Sequence, residues 1–164
     1  MFSGRYNAKL DGKSRFILPA KLRNQIIRTW GHEHPHLVLT LSFFKPCLVL
    51  MSEDQWGSIG DVASVDLLSP AVMDSFRLMS MVNYTSIDDV GRLVIPDYLK
   101  DMVGIDDQVT LLGCRAYIEL WTPDKAEEDL RQLQANAPEV MARLREELSR
   151  QRSSSTPRDG EQGA

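Results

Sequence analysis

The chain contains two copies of one short sequence pattern, and this duplication limits its fold more than any other feature. Leu10–Arg23 aligns with Ile87–Lys100 at a constant offset of 77, so that Asp, Arg, Pro and Leu coincide. A second match relates Leu48–Asp54 to Ile118–Asp124 at an offset of 70. Two copies are too few for a solenoid. The repeat therefore indicates a small domain that is duplicated within one chain of 164 residues.

Each copy predicts the same order of secondary structure. A short strand runs into an Asp-x-x-x-Arg turn, a second apolar strand follows, and a proline then stands at the first position of a helix. Two further strands complete the copy. A copy of about 45 residues is close to the lower limit for an independent core, so we expect the two copies to pack against each other. The predicted class is α+β and β-rich, with flanking helices.

Helical periodicity and proline positions predict further helices outside the copies. Val72, Phe76 and Met79 form an apolar stripe, and the methionines around it are expected to lie in the core. Pro123 starts another helix, which restarts at Pro138. The polar, Ser- and Gly-rich end is expected to be disordered. The predicted boundaries are 5–52 for the first domain, 53–82 for connecting helices, 83–126 for the second domain, 127–151 for a C-terminal helix and 152–164 for the disordered tail.

Basic residues are concentrated near the start of the chain. Overall, 19 Lys and Arg stand against 23 Asp and Glu, which gives a net charge of −4. Residues 1–50, however, contain eight basic and two acidic residues, whereas residues 51–110 contain three basic and eleven acidic ones. An acidic protein can still present a basic face to a polyanion, because the local field governs that encounter. The first copy is therefore the expected nucleic-acid side, the alternative being a solvated basic surface without a partner.

Several motifs occur together and identify a family. They are Met1-Phe2-x-Gly4, Asp11-x-x-x-Arg15 with Leu18-Pro19-Ala20, Pro46-Cys47-Leu48-x-Leu50, Trp56, Asp88-x-x-Gly91-Arg92-Leu93-x-Ile95-Pro96, and Ile118-Glu119-Leu120-Trp121. With them the chain resembles the MraZ family of bacterial transcriptional regulators from residue 1 to about 130. The resemblance implies two tandem SpoVT/AbrB-type DNA-binding domains, each a swapped-hairpin half-barrel, packed together as a double-split β-barrel. It also implies a ring-shaped homo-oligomer that binds G-containing direct repeats in its own promoter, within the division and cell-wall gene cluster, and represses its own transcription.

The resemblance assigns roles to the matching residues. Arg15 and Arg92 are the motif arginines, and the fork of an arginine binds either a guanine edge or a phosphate. Asp11 and Asp88 repel phosphate, so they are expected to close each turn and to orient the arginine. An internal Asp–Arg pair that never touches DNA is the alternative for both turns. Further phosphate-binding candidates in the first copy are Arg5, Lys9 and Lys13.

The two turns differ from each other and from the family pattern. The family usually has glycine before the first motif arginine, where this chain has Ser14. Glycine is the usual residue where φ is positive, so either the turn is shifted or Ser14 accepts that geometry. The second copy is acidic around Arg92, and phosphate attraction is therefore expected mostly from the first copy. Lys21 and Arg23 are expected to lie on a solvated helix face.

Other functions fit the sequence less well. His32, His34 and His36 could bind a transition metal, but they stand in an insertion that only one copy has. The chain has no phosphate-binding glycine loop, zinc-protease motif or nucleophile elbow, so we expect no enzyme activity, cofactor, metal or small-molecule substrate. No signal peptide or membrane span is visible, which predicts a soluble, cytoplasmic protein. The resemblance implies that it is nucleoid-associated. The remaining alternatives are a structural oligomer whose C-terminal helix binds a partner protein, and an antitoxin of the same fold.

Overall fold

The structure is a computed structural model that describes residues 1–31, 35–59 and 69–154. It is α+β, as the sequence predicts, with eight strands and six helices in those ranges. The strands are β1 (Arg5–Lys9), β2 (Arg15–Ile17), β3 (Leu37–Leu41), β4 (Leu48–Ser52), β5 (Val82–Thr85), β6 (Arg92–Val94), β7 (Gln108–Cys114) and β8 (Tyr117–Trp121). The helices are α1 (Ala20–Trp30), α2 (Glu53–Ile59), α3 (Pro70–Met79), α4 (Asp97–Val103), α5 (Pro123–Ala135) and α6 (Ala137–Ser154).

The main sheet interlaces the two copies of the repeat. Its strand order is β1-β7-β8-β4-β3-β5, and every neighbouring pair is antiparallel. The first strand of each copy, β1 or β5, pairs with the third strand of the other copy, β7 or β3. Hairpins β3–β4 and β7–β8 stay within one copy, and β4 meets β8 at the centre. The strand order therefore reads the same from either edge once the copies are exchanged.

Strands β2 and β6 form a separate two-stranded ribbon, which we call the β2–β6 ribbon. One strand comes from each copy, so the ribbon is also shared between them. The register pairs Phe16 with Leu93 at the centre, flanked by the pairs Arg15–Val94 and Ile17–Arg92. Within the described residues, the strands form this ribbon and an open sheet, not a closed barrel.

A single large core fills the space between the sheet, the β2–β6 ribbon and helices α1 and α4. Phe16 and Leu93 are buried on the inner side of the ribbon. Leu22 and Ile26 of α1 are also buried, because residues four apart lie on one face of a helix. Leu99 of α4 occupies the position of Leu22 in the second copy and is likewise buried. The core thus holds both copies of the repeat together around the ribbon.

Two sequence expectations about the helices are wrong in detail. Pro19 and Pro96 are N-cap residues and not the first helical residues, because their ψ angles of 133° and 142° are extended. Helices α1 and α4 therefore start one residue after each proline. Helix α3 contains no buried residue, and the expectation that its methionines lie in the core is wrong for Met73, whose side chain is exposed.

Most of α5 and all of α6 belong to a second compact unit. Residues Met1–Ala126 form the first unit, and the second begins at Glu127. Helix α6 continues to Ser154, three residues past the predicted end at residue 151, and the rest of the predicted tail lies outside the described residues. Every residue from 131 to 152 is exposed. Ion pairs at helical spacing, such as Glu139 with Arg143, lie along this surface.

Candidate nucleic-acid interface

The two Asp-x-x-x-Arg motifs form the same tight turn. In the first copy, the Asp11 N–H donates to the Arg15 carbonyl at 2.8 Å, and the Ser14 N–H donates to the Asp11 carbonyl at 3.0 Å. The second copy repeats these bonds at the same positions, with distances of 3.0 Å and 2.9 Å. Turn 1 is defined here as residues 11–15 and turn 2 as residues 88–92. Both turns connect a sheet-side strand to the β2–β6 ribbon.

In each turn the aspartate carboxylate holds the arginine side chain. Asp11 Oδ1 accepts hydrogen bonds from the backbone N–H groups of Lys13 (2.9 Å) and Arg15 (3.0 Å). Asp11 Oδ2 lies 2.8 Å from both Nε and Nη2 of Arg15. A guanidinium has five N–H donors in a rigid plane, so this contact fixes the plane and occupies only part of the donor set. The arginine is thereby oriented before any ligand arrives.

The second turn repeats this arrangement almost atom for atom. Asp88 Oδ1 accepts from the N–H groups of Val90 (3.0 Å) and Arg92 (2.8 Å), and Asp88 Oδ2 accepts from Arg92 Nε at 2.7 Å. Hydrogen bonds of this kind favour the ionised carboxylate. The Arg15 side chain, followed by its backbone N–H, lowers the pKa of Asp11 from 3.8 to about 2. The backbone N–H and then the side chain of Arg92 lower the pKa of Asp88.

The residue before the arginine adopts a left-handed conformation in both turns. Its φ is 56° at Ser14 and 86° at Gly91, so Ser14 accepts a geometry that favours glycine, and the turn is not shifted. The Ser14 hydroxyl donates to Asp97 Oδ1 at 2.8 Å and accepts from Lys100 Nζ at 3.0 Å. Both partners lie on α4 of the second copy. Turn 1 is therefore tied to the other half of the repeat.

Arg23 makes the corresponding contact on the other side. The repeat offset of 77 equates Arg23 with Lys100, and Arg23 Nη1 donates to the Val90 carbonyl in turn 2 at 3.4 Å. The expectation that Arg23 only lies on a solvated helix face is therefore wrong, because its side chain lies against Gly91. Lys21 is exposed on α1. Sequence reasoning missed these contacts between the copies, because the repeat offset aligns Arg23 with Lys100 without indicating which turn either side chain reaches.

The β2–β6 ribbon brings both arginines to one outer face. Residues at alternate positions of a strand share a side, and opposite partners in a ladder share it too. With Phe16 and Leu93 turned into the core, the four flanking side chains point outward. Arg15 and Arg92 belong to this set, each about one-third exposed. The other two members are Ile17 and Val94.

The remaining predicted cations are distributed unevenly around this face. Lys13 is exposed in turn 1, and Lys9, at the end of β1, lines a groove of about 580 Å³ beside Ile17. Arg5 lies at the opposite end of β1, roughly 13 Å from Lys9 along the strand. In turn 2, Asp89 and Val90 stand where turn 1 has Gly12 and Lys13. Turn 1 is therefore the more basic of the two.

Two further features concern metal ligands and membrane-spanning helices. No group of three or more His, Cys, Asp or Glu in the described ranges could hold a metal ion. His32 and His34 lie outside those ranges, and His36 is exposed. None of the described helices is long and apolar enough to cross a membrane.

Comparisons with known proteins relate the chain to one family. A family profile described as "MraZ protein, putative antitoxin-like" matches residues 1–68. A "Transcriptional regulator MraZ" from Thermomicrobium roseum is 29% identical over 146 residues, which is 88% of this chain and 97% of that protein. The protein of the same name from Solidesulfovibrio magneticus is 29% identical over 138 residues, with 83% and 89% covered. One from Roseiflexus sp. is 27% identical over 148 residues, with 89% and 98% covered.

Proposed function

We propose that this chain is a DNA-binding transcriptional regulator of the MraZ type, to which its motifs and its relatives both point, and that it inserts the β2–β6 ribbon into DNA. The relatives are named transcriptional regulators, and this coarse function fits the chain. The observation that carries the finer proposal is the outer face of the ribbon, where Arg15 and Arg92 are each held by an aspartate. A two-stranded ribbon is narrow enough to enter the major groove, which is about 12 Å wide.

Arg15 is the principal DNA contact in this proposal. Its plane is set by Asp11, and the free edge of a fixed guanidinium suits the two acceptors of guanine, O6 and N7. Arg92, oriented by Asp88, makes the equivalent contact from turn 2. Lys13 and Lys9 neutralise phosphates beside turn 1. Arg5, at the far end of β1, contributes at most a distant phosphate contact.

The strand exchange supports the finer fold assignment. The first two strands of each copy pair with strands of the other copy. This pairing is expected for two tandem swapped-hairpin half-barrels of the SpoVT/AbrB type that form a double-split β-barrel. We assign the first of these domains to residues 5–52 and the second to residues 83–126. Residues 53–82 are the connecting helices, residues 127–151 the C-terminal helix and residues 152–164 a tail.

A homo-oligomer would bring several β2–β6 ribbons to the same DNA molecule. A single ribbon with a few cations binds DNA weakly, whereas a ring of identical subunits presents several ribbons to spaced direct repeats at once. In this proposal the chain forms a homo-oligomeric ring, binds G-containing repeats in its own promoter and represses its own transcription in the division and cell-wall gene cluster. It acts in the cytoplasm at the nucleoid, without an enzymatic activity or a cofactor.

Fluorescence anisotropy with the DNA upstream of the protein's own gene tests the function. We expect selective binding over scrambled DNA, and loss of that selectivity in Arg15→Ala. Lys21→Ala removes the same charge from an exposed helix position and serves as the matched control. Arg15→Lys separates the two roles of the arginine, because lysine keeps the charge but lacks the fork. If Arg15 contacts a base, Arg15→Lys loses about 1–3 kcal/mol of sequence discrimination.

Other outcomes would identify the competing functions. If Arg15→Lys keeps both the sequence selectivity and the salt slope of the wild type, Arg15 contacts a phosphate. Lysine keeps the positive charge, and the salt dependence follows the number of phosphates neutralised. Equal and steeply salt-dependent binding to both DNAs would mean a non-specific basic face. Binding to neither DNA by a correctly assembled protein would overturn the proposal in favour of a structural oligomer. Sedimentation of each variant shows whether assembly is intact.

A further inference from the structure

The outer face of the β2–β6 ribbon carries two exposed aliphatic side chains beside its arginines. Ile17 is 61% exposed and Val94 is 43% exposed. The inner face of the same strands already supplies the core through Phe16 and Leu93. Burial on folding therefore does not explain why the outer positions are apolar, since a polar β-forming residue such as threonine would suit a solvated strand equally well.

The register places each aliphatic side chain directly beside an arginine. Ile17 is opposite Arg92, and Val94 is opposite Arg15, at the short distance typical of cross-strand partners. Along one strand, Arg15 and Ile17 are two residues apart, which is roughly 6.6–6.8 Å. This spacing matches two steps of about 3.4 Å along one DNA strand. An arginine and an aliphatic side chain on the same strand can therefore reach bases two steps apart.

The charged residues around Ile17 and Val94 indicate which kind of partner this apolar pair contacts. Arg15 and Arg92 flank it. Asp11 and Asp88 bind part of their donor set, so the remaining guanidinium N–H groups and the exposed Lys13 favour a polyanion with many acceptor oxygens over an uncharged protein surface. The one apolar group on the base edges of the major groove is the 5-methyl group of thymine. At the Ile17 end the apolar surface continues to Val90 along the groove that Lys9 also lines, whereas the equivalent of Val90 at the other end is Lys13.

We propose that Ile17 and Val94 are specificity-determining residues that pack on thymine 5-methyl groups next to the contacts of Arg92 and Arg15. This inference rests on the proposed function of the ribbon. Ile17 is the stronger contact of the two, because it is more exposed and lies beside Val90. The pair adds recognition of thymine to a face whose arginines recognise guanine or phosphate.

Removal of the methyl groups from the DNA tests this directly. The promoter fragment is amplified with dUTP in place of dTTP, which deletes every thymine methyl but keeps the phosphates and the hydrogen-bonding edges. We expect the wild-type protein to bind the methyl-free fragment about fourfold more weakly for each methyl group contacted. The double variant with Ile17→Ala and Val94→Ala is expected to bind both fragments with equal affinity.

Matched controls remove the same groups elsewhere on the surface. Ile59→Ala and Val140→Ala delete side chains that are 47% and 40% exposed, outside the ribbon, and should keep the wild-type response to methyl removal. Wild-type protein that prefers its promoter over scrambled DNA but binds both promoter fragments equally overturns this inference and leaves the proposed function standing. A double variant that still responds fourfold to methyl removal overturns it as well. Loss of promoter preference in the wild type would instead refute the proposed function.

Discussion

Serine at position 14 and glycine at position 91 occupy the same left-handed site of the repeated turn, although only glycine does so without steric cost. At Gly91 an added Cβ would also meet the Arg23 side chain. At Ser14 the cost is offset by hydrogen bonds to Asp97 and Lys100, so the two copies stabilise one backbone shape by different means. The conformation of this residue, more than its identity, is what the turn requires.

We expect Gly91→Ala to destabilise the protein by about 1–2 kcal/mol, the cost of a left-handed residue with a Cβ. Gly12→Ala is the matched control in the other turn, because Gly12 has no positive φ and nothing lies near its added Cβ. That substitution should be neutral or stabilising by up to about 1 kcal/mol. Urea unfolding measures both variants, and equal losses would contradict the role assigned to the left-handed site.

The Asp11–Arg15 contact predicts a defined dependence of stability on pH. Hydrogen bonds from Arg15 lower the pKa of Asp11 from 3.8 to about 2 in the folded protein. A lowered pKa means that the stabilising contribution is complete above pH 4 and is lost as the pH falls towards 2. We expect the difference in unfolding free energy between the wild type and Asp11→Asn to be constant from pH 7 to pH 4 and to shrink below that. An Asp11 carboxyl signal in NMR that titrates near 3.8 would contradict this.

At the scale of the element, the two faces of the β2–β6 ribbon have separate tasks. Phe16 faces the core, and Phe16→Ala is expected to cost about 3–5 kcal/mol of unfolding free energy. Ile17, one residue later, faces outward, and Ile17→Ala should change stability by at most about 0.5 kcal/mol. Chemical denaturation of the two variants gives the comparison. A large loss in Ile17→Ala would mean that the outer face is structural and would remove the basis for its role in DNA recognition.

The limits of sequence reasoning also appear at this scale. Local patterns predicted the order strand, Asp-x-x-x-Arg turn, strand and helix in each copy, because strand alternation, helix starts and turn residues are encoded by neighbours in sequence. Local patterns could not predict which strand pairs with β2, because alternation fits any register and β6 lies 77 residues away. Only the family resemblance implied the exchange. For the same reason, the contacts of Ser14 and Arg23 across the copies were missed.

At the scale of the whole molecule, neither copy of the repeat contains the strands that pair with its own first two strands. Residues 1–59 alone would leave β1 without β7 and β2 without β6. We expect this fragment to be unfolded by circular dichroism, because the unpaired strands expose the core residues they carry. Mixing it with residues 69–164 should restore sheet structure. A chain that ends at Ala135 is the control and should stay folded, since residues 137–152 are exposed. A folded 1–59 fragment would contradict the exchange.

The exchange of strands also sets the point during synthesis at which the β2–β6 ribbon can form. Arg5 is translated long before its pairing partner Leu112. At about 5–20 residues per second, the first strand waits at least several seconds for that partner. Turn 1 is thus translated well before the strands β6 and β7, with which its flanking strands pair. A chain that stops before β6 and β7 therefore carries the basic residues of the first copy without the β2–β6 ribbon, and under the proposed function it lacks the surface that contacts DNA.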